Sequence, residues 1–117
     1  MDRNQQAEQV RVVIEMLERV QQRPSMYLGS LRPYNQGLAH FLVGFRCACH
    51  ACGLSFDVSL YIEVAALRGW SFKSEWPDVR LMKQQAKLSD AAIQDEVLTI
   101  EVAVWRRLQE RLATAER

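Results

Sequence analysis

The chain has 117 residues, 49% of them hydrophobic, with 15 Lys and Arg against 14 Asp and Glu and a formal charge of +1. Such a length suits one soluble domain with a core of its own, needing neither metal nor disulfides to fold. The balanced charge lacks the basic excess usual in a nucleic-acid-binding domain, and no apolar run approaches the roughly 18 residues that span a bilayer. The opening MDRNQQAEQVR lacks the charged and apolar regions of a secretory leader, so a cytoplasmic location is the expectation.

Residues 5–22 place Val10, Val13, Ile14, Leu17 and Val20 at steps of three and four, which predicts an amphipathic helix. Pro24 has no N–H and biases Arg23 away from helical dihedrals, so this helix should stop at Gln22 or Arg23. The stretch RPSMYLGS, Arg23 to Ser30, then reads as a corner in which Gly29 permits the turn and Met26, Tyr27 and Leu28 cover the end of the core. The alternative gives Arg23 and Tyr27 a contact role.

Pro33 and Asn35 suit the first turn of a second helix that runs to about Ala51, with Gly53 just past its end. Leu38, Phe41, Leu42, Phe45 and Ala48 or Cys49 form a broad apolar face, and Gly37 and Gly44 offer room for another helix. It reads as the central helix. Cys47, Cys49, His50 and Cys52 close it in the run CACHAC. Steps of two, one and two residues fan these ligands around the axis, and no Cys or His follows Cys52, so a tetrahedral zinc ion is not expected. Packed, reduced thiols are.

SFDVSLYIEV alternates apolar and polar residues from Phe56 to Val64, the pattern of a strand. Leu60, Val64 and Leu67 fit helical spacing as well, Asp57 suits a cap and Gly69 an end. A lone strand would leave its backbone groups unpaired, so a helix over about 57–68 is favoured and a strand at 56–64 is the alternative. In GWSFKSEW, the rings of Trp70, Phe72 and Trp76 either plug the open end of the core or anchor a partner.

Pro77 opens a shorter helix to Ala86, with Val79, Met82 and Ala86 on one side. Ser89 is the expected N-cap of a final helix reaching about Thr114, buried along Ile93, Val97, Ile100, Val104, Leu108 and Leu112. Asp90, Asp95, Glu96 and Glu101 read as an acidic patch that compensates the helix dipole or receives a basic partner surface. Arg106, Arg107 and Arg111 gather toward the opposite end. The expectation is an all-α fold, one domain over 1–117, built as a bundle of about four to five helices.

No standard catalytic set is complete. The glycines stand singly at positions 29, 37, 44, 53 and 69, so there is no phosphate loop, and neither Gly-x-Ser-x-Gly nor His-Glu-x-x-His occurs. His40 and His50 are separated by almost three helical turns. A thiol at Cys47 or Cys49 beside His50 is a local pairing of the kind helices make incidentally. No enzymatic activity, cofactor or metal is expected.

The segment from Arg23 to Gly29 resembles two things. One is the RPxMYIG segment of the ATPase domains of type II DNA topoisomerase subunits, in the GHKL superfamily, matched at Arg23, Pro24, Met26, Tyr27, Leu28 and Gly29. That family would next place an Asn-Glu-x-x-Asp helix; here LAHFLVGFRCACHACG contains no acidic residue, so the base and the magnesium ligand have no counterpart. The other resemblance runs along most of the chain. The order of helix, RPxMYLG, central helix, aromatic middle and acidic-to-basic last helix is similar to small bacterial proteins of toxin-immunity loci. It implies a cytoplasmic protein that binds and neutralises a cognate toxin.

These readings converge on a protein-binding module whose contact residues are Arg23, Tyr27, Trp70, Phe72, Trp76, Asp95 and Glu96. The alternative is a small adaptor that binds nucleotide or nucleic acid through Arg80, Lys83, Lys87 and the last helix's arginines, and a third reading is a homodimer built on the long helices.

Overall fold

The computed structural model of the protein describes residues 2–28 and 36–114. Gly29, Pro33 and Asn35, given turn and helix-start roles above, lie outside the described residues. Among those residues there are six helices and no strand, so the fold is all-α. No helix among them is long and apolar enough to cross a membrane.

Helix α1 spans Arg3–Gln22 and starts earlier than its apolar pattern because Asp2 and Gln5 form a capping box. Asp2 accepts from the Gln5 N–H at 2.8 Å, and the Gln5 side chain accepts from the Asp2 N–H at 3.1 Å. Its expected stripe is buried, from Val10 to Val20. Arg23 leaves the helical region at φ −134°, as Pro24 requires.

The corner reading of RPSMYLGS needs correction. Pro24–Leu28 forms a one-turn helix, α2, in which Pro24 takes the first position, where a missing N–H costs nothing. A single turn offers the core one side only. Leu28 enters it, whereas Met26 and Tyr27 are 69% and 43% exposed.

Helix α3, Gln36–Ala51, ends at Gly53 with φ 81°. The Gly53 N–H donates to His50 O and the Leu54 N–H to Cys49 O, both at 2.9 Å, the paired bonds of a Schellman cap. Gly37 sits where α2 and α3 meet: a Cβ there would fall 2.1 Å from the Leu28 carbonyl oxygen. At Gly44 the space is open, so no element uses that gap.

The ambiguous segment is helix α4, Val58–Leu67, with Leu60, Tyr61, Val64 and Ala65 buried at helical spacing and Val58 exposed. Gly69, φ 91°, closes it by the same device, with Trp70 N–H donating to Ala65 O at 3.0 Å, which turns Trp70 into the core. Helix α5, Val79–Ala86, begins two residues after Pro77 because Asp78 caps it, accepting from the Leu81 N–H at 3.0 Å. Ser89 caps α6, Asp90–Thr114, through the Ala92 N–H at 3.2 Å.

The central helix is α6, not α3. Its buried residues include Ile93, Gln94, Val97, Leu98, Glu101, Val102 and Trp105, which lie on most sides of the axis, as in a helix surrounded by protein. It gives Ile93, Val97, Ile100 and Val104 to a core shared with Leu38, Leu42, Leu60, Tyr61 and Met82. To a second core it gives Val102 and Trp105, which meet Val10, Val13, Leu17 and Leu54. Helix α1 runs antiparallel along it, since Gln21 reaches Thr99 while Glu18 reaches Arg106.

Candidate functional site

Between α3, α4, α6 and the 70–78 connection lies one buried cation. Arg46 is the sole Lys, Arg, Asp or Glu of α3, and its side chain is only 11% exposed. Its guanidinium grips both oxygens of Glu101, Nε to Oε2 at 3.0 Å and an amino nitrogen to Oε1 at 2.6 Å, and donates also to the Glu75 carbonyl. Glu101 is fully buried and further accepts from Trp105 Nε1, one turn along α6, at 3.1 Å. Burial works against the Arg46 charge, but the hydrogen bonds and attraction of Glu101 outweigh it, holding the guanidinium above its ordinary value. The guanidinium therefore keeps its charge and is fixed to Glu101 by a bidentate clamp.

Three rings enclose this cation. The guanidinium carbon lies 4.9 Å from the Phe56 centroid, 5.0 Å from Tyr61 and 4.2 Å from Trp76, within cation–π range. Burial, then the nearby Glu101 charge, push the Tyr61 hydroxyl up despite the opposing pull of Arg46. Arg46 attracts that oxygen without standing in hydrogen-bond geometry to it. Ring contacts run on from Trp70 through Phe72, Tyr61 and Phe56 to Trp105, at centroid separations of 5.2 to 6.2 Å. Both end members donate indole N–H to α6 carboxylates, Trp70 to Glu96 at 2.8 Å and Trp105 to Glu101.

Trp76 is the most exposed member of the cage, at 37% exposure, beside Val43 at 49%. Two cavities flank this pair. One, of about 290 Å³, is lined by Arg46, Cys47, His50, Phe56, Glu75 and Trp105; the other, of about 260 Å³, by Leu38, Ala39, Leu42, Pro77 and Val79. Val43 and Trp76 line both, so they form a ridge between two largely apolar hollows along α3.

The residues expected to contact a partner are scattered by the fold. Arg23 and Tyr27 are exposed at α2, while Trp76 stands over Arg46. Trp70 and Phe72, at 9% and 4% exposure, belong to the core; the Gly69 turn drives them inward, so they offer a partner little surface. Glu96 is occupied by Arg68 at 2.6 and 2.9 Å and by Trp70, and Asp95 accepts from Gln21 at 3.0 Å. The expected acidic patch loses Glu101 to the interior. Of the basic residues in the nucleic-acid reading, Arg106 pairs with Glu18 at 3.2 Å, Arg111 with Glu63 at 3.1 Å and Lys83 with Asp90 at 2.9 Å, so those cations are already engaged.

Sequence reasoning gave no site role to Arg46, Phe56 and Val43, and put Glu101 in a surface acidic patch rather than in the interior. A signal existed for two of them: a lone cation in an otherwise uncharged helix, and a glutamate one position after Ile100 in the buried stripe of α6. No protein-family model, curated protein or solved structure matches this chain.

Proposed function

We propose that this protein is a non-enzymatic protein-binding module of the immunity or antitoxin type, which binds and neutralises a cognate bacterial toxin in the cytoplasm. The observation that supports it is Trp76: a half-exposed indole held 4.2 Å from a buried guanidinium, beside exposed Val43, with an apolar hollow on either side. Interface hot spots are enriched in tryptophan seated in well-packed surroundings. An anchor ordered before binding loses little side-chain freedom when the partner arrives. Met26 and Tyr27 on α2 add further exposed apolar surface.

The test is coexpression with the product of the adjacent open reading frame. A stoichiometric complex is expected, and Trp76→Ala together with Val43→Asp should weaken it by on the order of 100-fold or more, the scale of a hot-spot loss. No complex, or hydrolysis of a small substrate by the isolated chain that depends on Cys47 or His50, overturns the function. A complex indifferent to both substitutions overturns the assigned face.

A further inference from the structure

One stripe of α3 runs past both hollows beside Trp76. Leu38, Ala39, Leu42 and Val43 line the smaller hollow, and Val43, Arg46, Cys47 and His50 line the larger, so the two are placed end to end along the helix. Their α3 linings are centred about six residues apart, roughly 9 Å along the axis. The connection after α4 supplies the rest of the wall, with Trp76, Pro77 and Val79 at the smaller hollow and Glu75 and Trp76 at the larger. The result is a groove with two deep points and a ridge of Val43 and Trp76 between them.

We propose that this groove takes an amphipathic α-helix of the partner, with large apolar side chains seven positions apart, a small residue between them and a Lys or Arg beside one of the two. The inference rests on the reading of this face as the partner-binding surface. Helical residues seven apart lie on one face about 10.5 Å from each other, close to the separation of the hollows, whereas residues four apart span about 6 Å and would set one anchor on the ridge. The residue that crosses the ridge must be small for both anchors to enter. An extended peptide would find no sheet edge, since no strand occurs among the described residues, while a helix satisfies its own backbone groups. A second copy of this chain does not supply the ligand: among the described residues no helix exposes two large apolar side chains seven apart, and Val12 and Met16 on α1 are four apart.

Charge sets the polar requirement. Arg46 is committed to Glu101, which leaves half-buried Glu75 as the charged side chain of the larger hollow with no counter-ion. Its carbonyl accepts from Arg46, but among the described residues no hydrogen bond or ion pair falls on its carboxylate. A cation on the incoming helix complements it, and an acidic residue there is repelled.

The probe is a display library of helical peptides about four turns long, randomised on one face and selected against the immobilised full chain. Enriched sequences are expected to share large apolar residues at i and i+7, a small residue at i+3 or i+4, and a basic residue nearby. Val43→Asp changes an exposed side chain and should weaken the selected peptides by about 10-fold or more. Selection on Glu75→Lys should turn the basic preference acidic, and far-ultraviolet circular dichroism checks the fold of both variants. No enrichment, enrichment without the seven-residue spacing, or equal binding to Val43→Asp overturns the helix, and a basic preference that survives Glu75→Lys overturns the role of Glu75. Self-association in sedimentation that Val43→Asp abolishes gives the groove to a second copy instead. The coexpression complex reports on the function separately: a complex with no such helix enriched removes this inference alone, and enrichment without a complex removes the toxin reading alone.

Discussion

Arg46 and Glu101, 55 positions apart, meet as a bidentate ion pair in which the carboxylate is fully buried and the guanidinium nearly so. This pair ties α3 to α6, and through the Glu75 carbonyl it also holds the aromatic connection. Its contribution is conditional, because desolvating two charges costs much of what their attraction returns. Glu101→Gln retains an acceptor for Trp105 but leaves the Arg46 charge buried without a counter-ion. We expect a loss of about 3–5 kcal/mol, read as a lowered urea midpoint. The double variant Arg46→Met, Glu101→Leu should cost far less than the single change. Equal losses would mean that packing, not charge pairing, sets the energy.

Trp76 contributes to stability through its ring. Its ring lies over the cation at 4.2 Å and is 37% exposed, so Trp76→Ala removes a cation–π contact worth about 0.5–2 kcal/mol together with modest apolar burial. Trp76→Phe keeps a ring in place and should recover most of that loss. Thermal unfolding of the two variants checks the order, and a Phe variant as unstable as the Ala variant contradicts it.

Glu96 carries a pH signature. Hydrogen bonds from Arg68 hold its carboxyl below the ordinary 4.5, against the upward pull of burial, with Trp70 adding to the depression. A carboxyl lowered in the folded state stabilises fully above its unfolded value, and the contribution is lost as pH falls through the folded one. The gap in stability between wild type and Glu96→Gln should therefore be widest at neutral pH and shrink below about pH 5. Urea unfolding across that range measures it, and a gap that grows with acidity would reverse the assignment.

The helices were legible because each left a local signature. Val10 to Val20 repeat at helical spacing, Ser89 caps as read, and Gly53 and Gly69 adopt the positive φ that ends α3 and α4. The SFDVSLYIEV segment shows where locality stops, since its alternation is real and only tertiary burial of Tyr61 and Ala65 selects the helix. Which helix is central was not local information either. Helix α3 is the more apolar by composition, but α6 is surrounded, and it tolerates Glu101 inside because Arg46 comes from elsewhere in the chain to meet it. The site was missed for the same reason: a charged residue ordinarily reads as surface, and its partner lies 55 residues away.

Two glycines on α3 offer a matched comparison. At Gly44 an added Cβ meets nothing within 4 Å, so Gly44→Ala only restricts the unfolded chain and improves helix propensity. A gain of about 0.5–1 kcal/mol is expected. At Gly37 the same methyl would fall 2.1 Å from the backbone oxygen of Leu28, an atom that cannot swing aside as a side chain can. Gly37→Ala should therefore cost about 1–3 kcal/mol as α2 is pushed off α3, despite the identical propensity gain. Thermal or urea unfolding of both variants gives the difference directly, and two stabilising substitutions would place α2 farther from α3 than the packing of Leu28 against Gly37 allows.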